Sequence, residues 1–329
     1  MIAILVAVLM WMLVLSLLIL RRGREERSIT WAALTIAISV TLNIDVVYLG
    51  VDPVLGGTNL VTLFADLALM TGVFFLGRGV LKAAEHPPLL VRVALGRVAF
   101  AIAVVAAAVA FFLIDRGATT TTFMLDLGDQ AAAATYSMLH FTYYAIVLIA
   151  MAAVAARYAR PSHGILAVPP ILLVVGCALG VTLTLEVYVM DLAHVTGNLN
   201  LMLAASSAYG TVYLLTFLFL CSGFAGQPVA RTIQARKRAR RTRDLSHQLD
   251  PVWLAATTLR PGISQVAGAP IDASDPEALL HRQVVEIRDA MIDGRVSFEL
   301  DDRDRMLLEA AERHLVGEDP AARSPRVDA

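Results

Sequence analysis

The sequence predicts an all-α membrane protein: a seven-transmembrane-helix bundle, N-terminus outside and C-terminus inside, followed by a small helical cytoplasmic domain. Three observations predict it. The 329 residues are 57% hydrophobic and only 17% charged, where about a quarter of a soluble domain is charged. Of 55 formal charges, 22 lie in residues 1–224 and 33 in the last 105 residues. Seven stretches are each about as long and apolar as a helix that must satisfy its own backbone across the hydrocarbon core. Together these exclude a single soluble globule, a secreted disulfide scaffold and a disordered chain.

The expected spans are Met1 to Leu20, Ser28 to Leu49, Asn59 to Leu76, Val93 to Ile114, Ala131 to Ala156, Ile165 to Met190 and Leu199 to Phe224. The first reads as an uncleaved helix, because its charges follow the apolar run and no small-residue cleavage site is visible. Pro53, Gly56 and Gly57 separate the second span from the third, Pro87 and Pro88 the third from the fourth, and Pro161 the fifth from the sixth. Cys177 and Cys221 sit at depths about 13 Å apart at 1.5 Å per residue, too far for a disulfide, and read as buried hydrophobes.

Orientation follows from Lys and Arg in the short loops, which stay cytoplasmic. Alternate connections are basic: Arg21, Arg22, Arg24 and Arg27; Arg78, Lys82, Arg92 and Arg97; Arg157 and Arg160; and the run from Arg231 to Arg243. The intervening loops carry Arg116 beside Asp115, Asp126 and Asp129. No inverted repeat of the kind that builds many transporters is visible.

Ionisable groups within spans are costly and need a partner, a cavity or a proton. The candidates are Asn43 and Asp45 in span two, Asp66 in span three, His140 in span five and Glu186 in span six. Counted from the outer helix ends, they lie about 6 to 13 Å deep, all in the outer half. Tyr136, His140, Tyr143 and Tyr144 share one helical face, and Ser206, Tyr209, Tyr213 and Thr216 form a second stripe. This pattern points to an outward-facing acidic vestibule. Asn43, Asp45, Asp66, Tyr136, His140, Tyr143 and Glu186 would bind an extracellular small molecule or cation, since no Lys or Arg lies within a span to neutralise the acids. Hydrogen-bonded carboxyls linking helices are the plain structural alternative. Asp66, His140 and Glu186 are weak metal candidates, because no short ligand spacing such as His-Glu-x-x-His occurs. No cofactor is expected.

The chain divides by sequence into a bundle over 1–224, a basic juxtamembrane segment over 225–260, a helical domain over 261–317 and a disordered tail over 318–329. Arg231, Arg236, Lys237, Arg238, Arg240, Arg241 and Arg243 should lie along anionic lipid headgroups. The run lacks interleaved aromatics, which argues against nucleic acid. Asp275, Pro276 and Glu277 mark a helix start with Leu280, Val284, Ile287 and Met291 on one face and Gly294 as its stop. A second helix runs from about Asp301 to Leu315 before Gly317. These helices offer a surface for a cytoplasmic protein partner or self-association.

Leu245-Ser246-His247-Gln248-Leu249-Asp250-Pro251 resembles the phosphoacceptor box of sensor histidine kinases, but proline comes four residues after the histidine instead of five. Only 78 residues follow Pro251, with no Asp-x-Gly-x-Gly loop, so no nucleotide-binding domain fits. Leu249-Asp250-Pro251-Val252-Trp253 and the stretch His281 to Asp289 resemble the C-terminal domain of an actinobacterial multipass family labelled as transporters. That resemblance implies a bacterial plasma-membrane protein and supplies neither substrate nor active residues. The residues themselves favour a receptor-like sensor or regulatory protein. A small-solute or cation transporter is the alternative, and an intramembrane metal-dependent enzyme comes third.

Overall fold

The computed structural model describes residues 1–20, 28–83, 89–259, 275–293 and 297–317. Arg21, Arg22, Arg24, Arg27, Pro87, Pro88, Gly294 and the tail expected over 318–329 lie outside the described residues. All regular structure among the described residues is helical: α1 (Ile2–Leu20), α2 (Ser28–Leu42), α3 (Asp45–Val51), α4 (Leu60–Ala83), α5 (Leu89–Ala94), α6 (Arg97–Phe112), α7 (Phe123–Leu127), α8 (Ala131–Ala159), α9 (Val168–Val195), α10 (Leu199–Leu259), α11 (Pro276–Ile292) and α12 (Asp302–Val316). Five of them, α1, α4, α8, α9 and α10, are long and apolar enough to cross a membrane, and the bent pair of α2 with the helical stretch from Asp45 to Leu55 makes a sixth.

The chain forms two compact units, Met1–Arg231 and Thr232–Ala329. In the first, α8 packs against α4, α6 and α9, while α2 lies between α1 and α4. Helices approach closely where a side chain is missing. A Cβ on Gly72 would stand 2.4 Å from Ile36 Cγ1 and 3.1 Å from the Ala32 carbonyl, so glycine sets the α2–α4 separation. Small residues at such crossings are the usual basis of helix association in lipid, where apolar surface gains nothing by being buried. α1 buries Val6, Met10, Leu13 and Leu17 and exposes Leu5, Val8 and Leu15. α6 likewise exposes an apolar stripe of Ile102, Val105, Val109 and Phe112.

Span two is not the continuous helix from Ser28 to Leu49 that its hydropathy predicts. The chain turns by 82° between Leu42 and Asp45. The cause is local: Thr41 Oγ1 donates to the Ala37 carbonyl at 2.7 Å and Asn43 Nδ2 to the Ser39 carbonyl at 3.2 Å. Side chains that bond back onto their own helix compete with its backbone ladder, and Ile44 then adopts extended geometry (φ −80°, ψ 124°). The fourth span is broken too, between Ala94 and Arg97. A Cβ on Gly96 would meet the Val93 carbonyl at 2.9 Å, so only glycine fits this turn.

The second unit uses the Thr232–Leu259 part of α10 as its first helix. Its core joins Leu249 and Ala256 of α10 to Leu280 and Ile287 of α11 and to Leu308 and Ala311 of α12. The expected helix starts are present. Asp275 accepts from the Glu277 and Ala278 amides with Pro276 following, and Asp301 accepts from the Asp304 amide at 2.7 Å. Gly317, at φ +82°, ends α12 in the left-handed conformation. Gln283 is fully buried, its Nε2 donating to the Ser246 carbonyl and to Asp250 Oδ1 at 2.6 Å. Glu286 accepts from both Trp253 Nε1 and Arg282 Nε at 2.6 Å. His247, the histidine of the kinase-like box, is exposed on α10.

Two contacts make this unit sensitive to acid. Arg288 grips Glu312 through Nε at 2.6 Å and Nη2 at 2.8 Å, which holds the Glu312 carboxyl below its usual range. His314 pairs with Thr242 at 2.9 Å, and burial, followed by the charges of Arg238 and Arg241, depresses its imidazole. In both cases the unfolded chain takes up the proton first, so folding stability falls as pH drops. The histidine contribution is lost from about pH 6.5 downward and the glutamate contribution from about pH 4.3 downward. Hydrogen exchange of α12 should therefore accelerate in two steps on acidification, and Glu312→Gln should abolish the second. Exchange that stays flat across both ranges would refute this coupling.

Candidate functional site

Packing of α4 on α8 brings Asp66 to the face that carries Tyr136, His140 and Tyr144. Tyr136, only 1% exposed, donates its hydroxyl to Asp66 Oδ2 at 2.5 Å. His140 lies one turn further along α8, and its Nδ1 is 2.9 Å from the Tyr136 carbonyl. A carbonyl only accepts, so Nδ1 carries a proton and Nε2 is left as the ring's acceptor. Tyr144 closes the group, its hydroxyl 3.4 Å from the Asp66 carbonyl. Aromatic rings wall the imidazole: Tyr136 and Phe141 with centroids at 4.9 Å, and Tyr144 at 5.5 Å.

The acids of α9 border the same region. Tyr209 of α10 lies within electrostatic range of Asp66, Glu186 and Asp191, and Tyr144 within range of Asp66, Tyr209 and Tyr213. Both carboxylate oxygens of Glu186 are enclosed and have no hydrogen-bond partner among the described residues; the same holds for Asp191 Oδ2. Asp191 is 5% exposed, and its carboxylate meets the Ser137 hydroxyl. The result is an acid-rich, tyrosine-lined region built from α4, α8, α9 and α10. Nearby, Tyr188 and Thr142 tie α9 to α8 through hydroxyls 2.5 Å apart.

The structure unites Asp66, Tyr136 and His140 and places Glu186 at their border, but it separates the other expected members. Asn43 and Asp45 are exposed at the 82° turn, Asn43 bonding only its own helix. The reason is the broken span, which removes both from the bundle interior. Tyr143 faces away toward Phe100 of α6, with centroids 6.0 Å apart, and its buried hydroxyl has no partner among the described residues. Asp66, His140 and Glu186, the weak metal candidates, do not form a close cluster. Among the described residues no three His, Cys, Asp or Glu side chains gather closely enough to hold an ion. The seven basic candidates from Arg231 to Arg243 are all exposed on α10, with Arg238 paired to Glu277 at 2.8 Å. Cys177 and Cys221 are free and buried, as their depths predict.

Two residues that the sequence reading did not single out, Asp52 and Asn59, organise the end of the first unit where α4 begins. Asp52, with no exposed surface, accepts from the Asn59 amide at 2.9 Å, the Val61 amide at 3.1 Å and the Thr119 hydroxyl at 2.6 Å. Asn59, equally buried, sits at φ +61°, a conformation that asparagine tolerates better than most side chains. Its Nδ2 donates to the Arg116 and Ala118 carbonyls, and its Oδ1 accepts from the Thr120 amide and the Tyr48 hydroxyl. All four of its amide bonding positions are used. Tyr48 also meets Thr62 at 2.8 Å, one turn from Asp66 on α4. Thus a clasp joins the 52–59 and 116–120 loops and leads directly onto the helix that carries the central acid. Beyond it, Thr120 and Thr122 hydroxyls bond Asp126 and hold its carboxyl below the usual range. The Asp-Pro-x-x-Gly-Gly-x-Asn composition was the available signal for this folded turn.

Compared with known protein families, curated proteins and solved structures, the chain finds no match.

Asn59→Ala should remove four side-chain bonds at roughly 1 kcal/mol each, lowering stability by about 4 kcal/mol. Thermal unfolding of the detergent-purified chain measures this, and a transition unchanged from the parent would show that the clasp contributes nothing.

Proposed function

We propose that this chain is a seven-span plasma-membrane receptor or regulatory protein, N-terminus outside and C-terminus inside, that takes a small cationic ligand into the region around Asp66. The observation that carries the reading is the surplus of acid. Asp66, Glu186 and Asp191 share one tyrosine-lined region, two of them with unpartnered oxygens among the described residues, and the stretches 59–76, 131–156, 165–190 and 199–224 that build it contain no Lys or Arg. A protonated amine or other small cation would balance that charge, and the rings around it present the π faces that favour cations. His140 offers Nε2 as a hydrogen-bond acceptor when neutral.

The span count counts α6 as the seventh. Its exposed stripe of Ile102, Val105, Val109 and Phe112 is a lipid-facing pattern, and its 16 residues extend about 24 Å. Lys and Arg distribution supports the orientation. Sensing is favoured over transport because the titratable groups stop in one half of the bundle. The other half is packed with Leu17, Leu76, Met151 and Phe224, and a carrier needs a polar route through both halves. α10, continuous from a span to Leu259, would carry the response into the second unit.

The test uses the full chain in nanodiscs with a series of primary to quaternary alkylamines as probes, read by thermal shift. Asp66→Asn should weaken the shift about ten-fold or more in apparent affinity, while Asp45→Asn should leave it unchanged. Amines that shift parent and Asp66→Asn equally would sink the binding site. Saturable, Asp66-dependent amine flux in proteoliposomes would instead establish transport.

A further inference from the structure

Away from Asp66, where α4 and α8 near their C-terminal ends and α2 and α9 begin, five helices leave a half-open crevice of about 90 Å³. Leu76, Met151, Leu173 and Phe224 make its walls apolar, and Tyr158 and Gln227 supply a polar edge. Three of these helices continue past the crevice into basic residues on the same face. Lys82 follows Gly79 by three positions on α4, Arg157 follows Val154 by three on α8, and Arg231 follows Gln227 by four on α10. Residues three or four apart stack on one helical face, so Lys82 and Arg231 lie about 5 Å further along their helices than Gly79 and Gln227, and Arg157 stands beside Tyr158 at the crevice edge. All three side chains are exposed. Apolar walls that give way at one end to an amide, a phenol and three cations match the polarity of a phospholipid, whose acyl chain leads to a glycerol ester and a phosphate.

We propose that this crevice is a binding site for one anionic phospholipid. An acyl chain occupies the apolar walls, Gln227 and Tyr158 face the ester region, and Lys82, Arg157 and Arg231 hold the headgroup phosphate. A zwitterionic lipid offers the same chain but no net charge, so the site discriminates by headgroup. The site is separate from Asp66 and holds whether or not that region binds a cation.

The experiment is native mass spectrometry of the full chain released from vesicles containing equal phosphatidylglycerol and phosphatidylcholine of matched chains. The parent should retain phosphatidylglycerol about ten-fold over phosphatidylcholine, as expected for a few basic residues acting together near a headgroup. The combined variant Lys82→Gln, Arg157→Gln, Arg231→Gln should reduce the preference to near unity. Gly79→Leu, whose new side chain grows toward Ile29 Cγ1, 3.3 Å from a Cβ there, should expel the tightly held lipid while leaving every cation in place. Ala155→Leu fills the same crevice from α8 and serves if Gly79→Leu fails to fold. Equal retention of the two lipids by the parent overturns the proposal. So does a preference that survives the triple variant, a lipid that stays bound in both crevice-filling variants, or a bound mass matching a free fatty acid.

Discussion

The bond between Tyr136 and Asp66 is the interaction on which the rest of the bundle depends. A carboxylate placed a third of the way along an apolar helix has no water to turn to, and burying it without a partner costs several kcal/mol. The phenol from α8 answers that cost, and in doing so sets the rotation of α4 against α8. His140 is then bound to the carbonyl of the same tyrosine and Tyr144 reaches the Asp66 backbone. Four polar groups are thereby arranged by one helix contact, and α9 and α10 complete the enclosure.

The two ends of the bundle solve different problems. At one end polar side chains are concentrated, bonded across helices and loops, and leave a few acid oxygens unmatched. At the other, apolar side chains and small residues do the packing, and charge appears only where the helices leave the apolar zone. The second unit follows the rules of water-soluble helical domains: capped helix starts, a leucine and isoleucine centre, and ion pairs at its edges. One chain thus contains two solvents' worth of folding logic, and α10 belongs to both.

Much of this was legible in the sequence, for physical reasons that can be named. The long apolar helices were visible because a helix that is to cross a membrane needs about 20 mostly apolar residues. Asp66 and His140 stood out because an ionisable residue in such a helix is rare, and Tyr136 because it shares a face with His140 at a spacing of four. The failures have equally specific causes. Asn43 and Asp45 read as polar residues within a span, whereas the side-chain bonds of Thr41 and Asn43 end that helix just before Asp45. Asp191 was passed over because it lies one residue beyond the expected end of span six. Asn59 read only as the first residue of span three and Asp52 was not singled out, since partners 57 to 67 positions away leave no trace in local pattern.

That clasp bears on the order in which the molecule assembles. Local helices form from neighbours in sequence, but Asn59 and Asp52 must wait for the stretch around Arg116 to Thr120 to be brought to them. Closing a loop of that length has an entropic cost that grows with separation, and contacts of this kind are slow to appear. A knot of this kind is expected to be tied late, after α4 and α6 have found their places, and to lock in an arrangement reached without it.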